Sequence, residues 1–226
     1  MRLGLFPLFI GAGGAVILIS LGVWQVQRLD WKLGVIADID ARIAAAPVPL
    51  PDVLDPANDA YLPVEVRGVV EPEYLRILVS QKEIGAGYRI ISAMDMGGRR
   101  VLLDRGFMVV DQDDVPVHKG SETVRGNLQW PQEKDGFTPE PDIAKNIWFA
   151  RDVAAMAAAL DTEETFVVAK QTSFDDGLIS PLPVDTTAIP NDHLSYAITW
   201  FSLAAIWLVM TLAFTLRARR APKQTS

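Results

Sequence analysis

The sequence predicts an α+β membrane protein in which two transmembrane helices flank a mainly antiparallel, barrel-like β-sheet domain that carries one or two helices. Three observations lead there. Residues Leu3–Gln27 carry no charge, and neither do Leu194–Leu216. Each run is long enough for a helix to cross roughly 30 Å of hydrocarbon, which takes about 20 residues. Between the runs the pattern becomes short β-rich segments punctuated by glycine. Charge is divided in the same way. Residues 33–192 hold 27 Asp and Glu against 14 Lys and Arg, whereas the remainder holds seven basic residues and one acidic, within a total of −7.

Residues 1–27 form the first predicted transmembrane helix. A cleaved signal peptide shares its charged start and apolar run. Here, however, the run is long and closes on Trp24, Gln25, Gln27 and Arg28 with no Ala-x-Ala site, so an uncleaved anchor is expected. Gly11, Gly13, Gly14 and Ala15 offer a close approach to Ser202, Ala204 and Ala205 of the second span, although glycine is also frequent in membrane helices generally. Residues 28–46 are a helical extension, with Leu29, Leu33, Ile36 and Ile43 at helical spacing before Pro47, Pro49 and Pro51.

Residues 47–192 form the β-rich domain. Strands are expected at 62–70, 75–80, 88–94, 99–104, 123–129 and 165–171, with a tight Gly97–Gly98 hairpin. An Ala-rich helix is expected over 151–160, with Asp152 near its start. Residues 50–60, 111–121, 131–144 and 175–192 read as loops. Residues 193–216 are the second transmembrane helix, and 217–226 a basic tail. The cluster Arg217, Arg219, Arg220 and Lys223 places that tail in the cytoplasm by the positive-inside rule. Two spans put the N-terminus on the same side and the acidic domain outside. Arg28, Lys32 and Arg42 beyond the first span weigh against this, but they are less dense. No Arg- and Ser-rich transit peptide precedes the first span, which points to a bacterial plasma membrane.

Composition excludes several functions. There is no cysteine, hence no disulfide, thiolate metal site or thioredoxin chemistry. An acidic domain lacks the positive footprint that nucleic acid requires. No HExxH, P-loop or GxSxG pattern is present, so a catalytic site is not expected. The acidic pairs Asp113–Asp114, Glu163–Glu164 and Asp175–Asp176 read as solvated surface. Met94 and Met96 share one strand face and read as core more readily than as copper ligands.

His193 stands apart, in NDHLSYAITWF (191–201), where the last loop meets the second span. Tyr196 and Trp200 lie three and seven residues on, along one helical face. A neutral imidazole walled by aromatics at the membrane interface could ligate a haem iron. Alternatively, Asn191 or Asp192 caps the helix and His193 hydrogen-bonds at headgroup level.

Several segments in order resemble a known family. LGVWQVQRLDWK (21–32), YLPVEVRG (61–68), GAGYRIISAM (85–94), VLLDRGF (101–107), VRGNL (124–128), NIWFARDVAAM (146–156) and the His193 segment together resemble the surfeit-locus (Shy-type) family of cytochrome c oxidase assembly proteins. Phe107 stands where many relatives would carry Trp. The resemblance implies a non-enzymatic, membrane-anchored chaperone that transiently holds haem a or delivers it to the oxidase catalytic subunit. It implies His193 as the haem-iron ligand, with Tyr196 and Trp200 packing beside it. Arg105 and Arg28 are then candidates to pair with the haem propionates. The catalytic subunit, the haem a synthesis enzymes and the lipid bilayer are the implied partners. A rival reading is a scaffold that stabilises the catalytic subunit without binding haem.

Overall fold

The computed structural model describes residues 6–81, 84–112 and 114–220, with no side-chain description for 218–220. Arg2, Asp113, Lys223 and Ser226 lie outside the described residues. The chain divides into two compact units. One comprises the chain up to Asp38 together with Thr187 onward, and the other runs from Ile39 to Thr186.

Two helices build the first unit, α1 (Phe6–Ile43, continuing into the second unit) and α4 (His193–Arg220). Both are long and apolar enough to cross a membrane. They run antiparallel, and small residues mark their contact. A Cβ on Gly14 would lie 2.5 Å from Trp207 Nε1, and one on Gly22 would lie 2.7 Å from Phe201. Trp207 Nε1 donates to the Gly11 carbonyl at 2.9 Å, which the bare Gly14 surface allows. Ala15, Ala197 and Ala204 are buried in the same seam. The expected small-residue contact is therefore present but rotated. Gly13 faces open space and Ser202 and Ala205 are exposed, while Gly22 joins the α1 side of the contact against Phe201.

The second unit is a seven-stranded sheet: β1 (Val48–Pro49), β2 (Pro63–Gln81), β3 (Gly85–Asp95), β4 (Arg100–Val109), β5 (Glu122–Leu128), β6 (Ile147–Trp148) and β7 (Phe166–Thr172). The sheet is mixed, so a mainly antiparallel architecture holds only in part. The long ladders β2–β3, β3–β4, β2–β5 and β5–β7 are antiparallel, whereas β1–β2, β2–β6 and β4–β7 are parallel. β5 pairs with both β7 and the first part of β2, so the pairings return to their starting strand. The strands expected at 62–70 and 75–80 are one strand. Pro72 cannot donate to a ladder, and the register shift between Val70 and Tyr74 carries it as a bulge. Gly97 and Gly98, with φ of 81° and 152°, make the β3–β4 turn.

β4 is buried on both faces, which explains its near-continuous apolar run. On one face Leu102 joins Leu75, Ile77, Ile91, Phe166 and Val168 beneath α3 (Val153–Leu160). On the other, Val101 and Leu103 join Val64, Val66, Val124, Leu128 and Val167. Met94 is fully buried in this second cluster and Met96 packs against it, so both are core residues. The Asp152 carboxylate caps α3 by accepting from Ala155 N–H at 3.2 Å. A four-residue helix, α2 (Pro56–Asp59), falls in the 50–60 segment expected to be a loop.

Candidate functional site

His193 is the first residue of α4 and is half-buried. Its Nδ1 lies 2.8 Å from Oε1 of Gln25, a side chain of α1 that is only 8% exposed. An amide oxygen can only accept, so Nδ1 carries the proton and donates it. In the neutral ring this leaves the Nε2 lone pair for another partner. Neither flanking side chain caps α4 among the described hydrogen bonds. The Tyr196 N–H goes to the Asp192 carbonyl at 3.2 Å. The Asn191 Oδ1 is buried with no hydrogen-bond partner among the described residues.

The other expected residues divide. Tyr196 is 55% exposed and Trp200 half-buried, on the α4 face reached from His193 by one and two turns. Arg28 is exposed one turn beyond Gln25, its guanidinium 3.8 Å from the centroid of the Trp31 ring. Arg105, by contrast, is 1% exposed within the sheet unit. The shift between Ile90–Gly106 and Ile91–Asp104 makes Arg105 the extra residue of a β-bulge. Gly106 takes φ 129° there, and a Cβ would strike the Ser180 carbonyl.

The Arg105 guanidinium forms a two-pronged pair with Asp176, with Nε to Oδ2 at 2.9 Å. It also donates to the Pro116 carbonyl at 2.8 Å and reaches Ser92 Oγ at 3.4 Å. Its donors are committed inside the domain, so it does not fit the propionate role expected of it. His118 completes this cluster. Its Nε2 lies 2.9 Å from Asp176 Oδ1, and its ring centroid is 4.2 Å from that of Phe174.

Two acidic residues expected at a solvated surface are thus structural. Asp176 is buried against Arg105, and Glu163 accepts two bonds of 2.9 Å from Arg99. The Arg99 bond holds the Glu163 carboxyl below its ordinary range. Burial pushes Glu133 upward, but hydrogen bonds and charge from Arg151 outweigh it and leave the carboxyl low. Burial raises Asp104, despite its ion pair with Arg89. A concavity of about 460 Å3 near Arg151 and Glu133 is lined by these paired side chains and by Trp130. Among the described residues, no group of three or more His, Asp or Glu side chains is placed to hold a bare metal ion.

Gln25 joins His193 in the candidate site without a distinctive sequence signal. As a sequence feature it is only a polar residue at the end of an apolar run; the pairing across 168 positions gives it meaning.

Comparison with known proteins places these features in a lineage. Human Surfeit locus protein 1 is 32% identical over 211 residues, covering 82% of this chain and 70% of its own length. The Drosophila melanogaster SURF1-like protein is 32% identical over 214 residues, again covering 82% and 70%. The Rickettsia felis SURF1-like protein is 26% identical over 210 residues, covering 88% of this chain and 92% of itself. The SURF1 family model matches residues 12–205, a stretch that takes in most of α1, the first part of α4, the whole sheet, Gln25 and His193. With the match running through every element just described, the chain belongs to the SURF1 family.

Proposed function

We propose that this chain is a membrane-anchored assembly factor for cytochrome c oxidase that holds haem a, or delivers it to the catalytic subunit. It performs no catalysis of its own in this reading. Family membership supports the assembly role through the resemblance drawn from the sequence. The single observation that carries the haem role is His193 at the head of α4, with Nδ1 engaged by Gln25 and Nε2 left for a ligand bond.

The donor set suits haem a as cargo. His193 would hold the iron, and Trp200 and Tyr196 would pack against the macrocycle or its isoprenoid tail. Arg28, already oriented by Trp31, would pair with a propionate. Bound haem a would bring an iron centre whose ligation the imidazole completes. The apolar helices suit a bacterial plasma membrane, with the sheet unit extracytoplasmic and both termini cytoplasmic. The partners in this reading are the oxidase catalytic subunit, the haem a synthesis enzymes and the bilayer.

A deletion strain tests the function. Cells lacking this chain, and any second copy, will make oxidase subunits but assemble less active enzyme with less haem a per complex. Full haem occupancy and normal activity would refute the reading. Normal haem occupancy in the oxidase that does assemble, with unstable catalytic subunit, would favour a scaffold that never touches haem.

A further inference from the structure

We infer that Gln25 is a positioning residue that selects the tautomer and fixes the ring of His193, so that Nε2 is held ready as the ligand nitrogen. The inference rests on the haem reading above and extends it to α1.

Three observations carry it. Gln25 is 8% exposed, a buried primary amide in a helix whose other buried residues are Gly11, Ala15 and Gly22. Burying an amide is costly unless it is bonded, and the described partner of its oxygen is the His193 ring. The bond joins α1 to the first residue of α4, where the chain enters the span and His193 has no preceding helical turn to orient it. The Gly22–Phe201 contact sits one turn away on α1, so the helices are held together beside the pair. An amide oxygen facing Nδ1 makes the Nδ1–H tautomer the bonded one. It also increases the electron-donating power of the opposite nitrogen. A ring without this acceptor would rotate and share its proton between both nitrogens, and part of the population could not bind iron.

The test uses the full chain in detergent, purified from cells that synthesise haem a, with the wild type compared to Gln25→Leu, Gln25→Glu and His193→Ala. The variants are placed in a Gly11→Cys/Thr211→Cys background. Cross-linking there reports an intact helix pair, because a Cβ on Gly11 would meet the Thr211 side chain and the natural chain has no cysteine. Gln25→Ala replaces Gln25→Leu if the latter fails to cross-link.

Truncation is expected to weaken retention of haem a by about 10- to 100-fold, the usual cost of losing a residue that orients a metal ligand. Gln25→Glu, which keeps an acceptor oxygen, is expected to restore retention. It will also shift the reduction potential of the bound haem negative, a change that packing alone would not produce. Wild-type retention and spectrum in the truncation, with haem lost in His193→Ala, would overturn the inference and leave the ligand reading standing. Equal loss in Gln25→Leu and Gln25→Glu with the cross-link intact would also overturn it. Unchanged haem binding in His193→Ala would remove the reading on which it rests.

Discussion

Arg105 and His193 show how differently two conspicuous polar residues are used. Arg105 lies within an Arg-Gly pair to which the structure gives an architectural role. The bulge turns the guanidinium inward, Asp176 and the Pro116 carbonyl accept from it, and His118 Nε2 donates to the same Asp176 carboxylate. Removing one member of a buried ion pair leaves the other charged and unsolvated. Arg105→Ala will therefore destabilise the fold by about 3–5 kcal/mol, measured by denaturant unfolding of the full chain in detergent. His118→Ala will cost less, about 1–3 kcal/mol, and the protein that folds will retain haem like the wild type. A fall in haem retention in folded His118→Ala would bring this cluster into the binding site. Neither role was legible in the sequence. The bulge depends on register, and Asp176 comes from a loop 71 residues away. His118 reads there only as a polar loop residue beside Lys119 and Gly120.

At the scale of elements, features encoded locally were legible. The two charge-free runs became α1 and α4, the Gly97–Gly98 pair made its turn, and Asp152 capped α3. What was not legible depends on partners distant in sequence. β1 and β6 are two residues each and are strands only because β2 lies alongside them. Pro72 reads as a break, yet a bulge carries β2 through it.

Loop and turn segments are tied to one another by Arg151–Glu133 and Arg99–Glu163, which predicts a pH response. Both carboxyls have lowered folded pKa values, so their contribution is present above the unfolded value, about 4.3, and is lost as pH falls through the folded values. Asp104, raised by burial, acts in the opposite sense and offsets part of this loss on the acid side. Both bridges are partly solvent-screened, so together they contribute about 1 kcal/mol or less. Tryptophan-monitored thermal unfolding will fall less steeply below about pH 4.5 in Glu133→Gln/Glu163→Gln than in the wild type. An unchanged acid limb would show that the bridges are energetically silent.

For the whole molecule, the segregation of charge into an acidic middle and basic flanks was visible from composition alone. It predicts that a reporter fused after Ser226 is cytoplasmic and that one inserted at Asp113 is extracytoplasmic. A cytoplasmic Asp113 reporter would reverse the orientation and place any haem site on the other side of the membrane. The candidate site was half-legible. His193 was conspicuous as a lone imidazole at the edge of a span, but its partner Gln25 becomes visible only when the hairpin closes.

Ligation of haem a by His193 is tested most directly by the amount of haem a that co-purifies with the full chain and with His193→Ala, from cells with and without haem a synthesis. His193 sits at a helix entry and not in a core, so its truncation is expected to cost about 1 kcal/mol and to leave the protein folded in the membrane. A haem a spectrum is expected for the wild type only when synthesis is intact, and a much reduced or shifted spectrum for His193→Ala. Tyr196→Ala and Trp200→Ala will lose less, because packing is removed and not a bond to iron. A His193→Ala protein that binds haem a with unchanged spectrum and affinity would show that His193 is not the iron ligand.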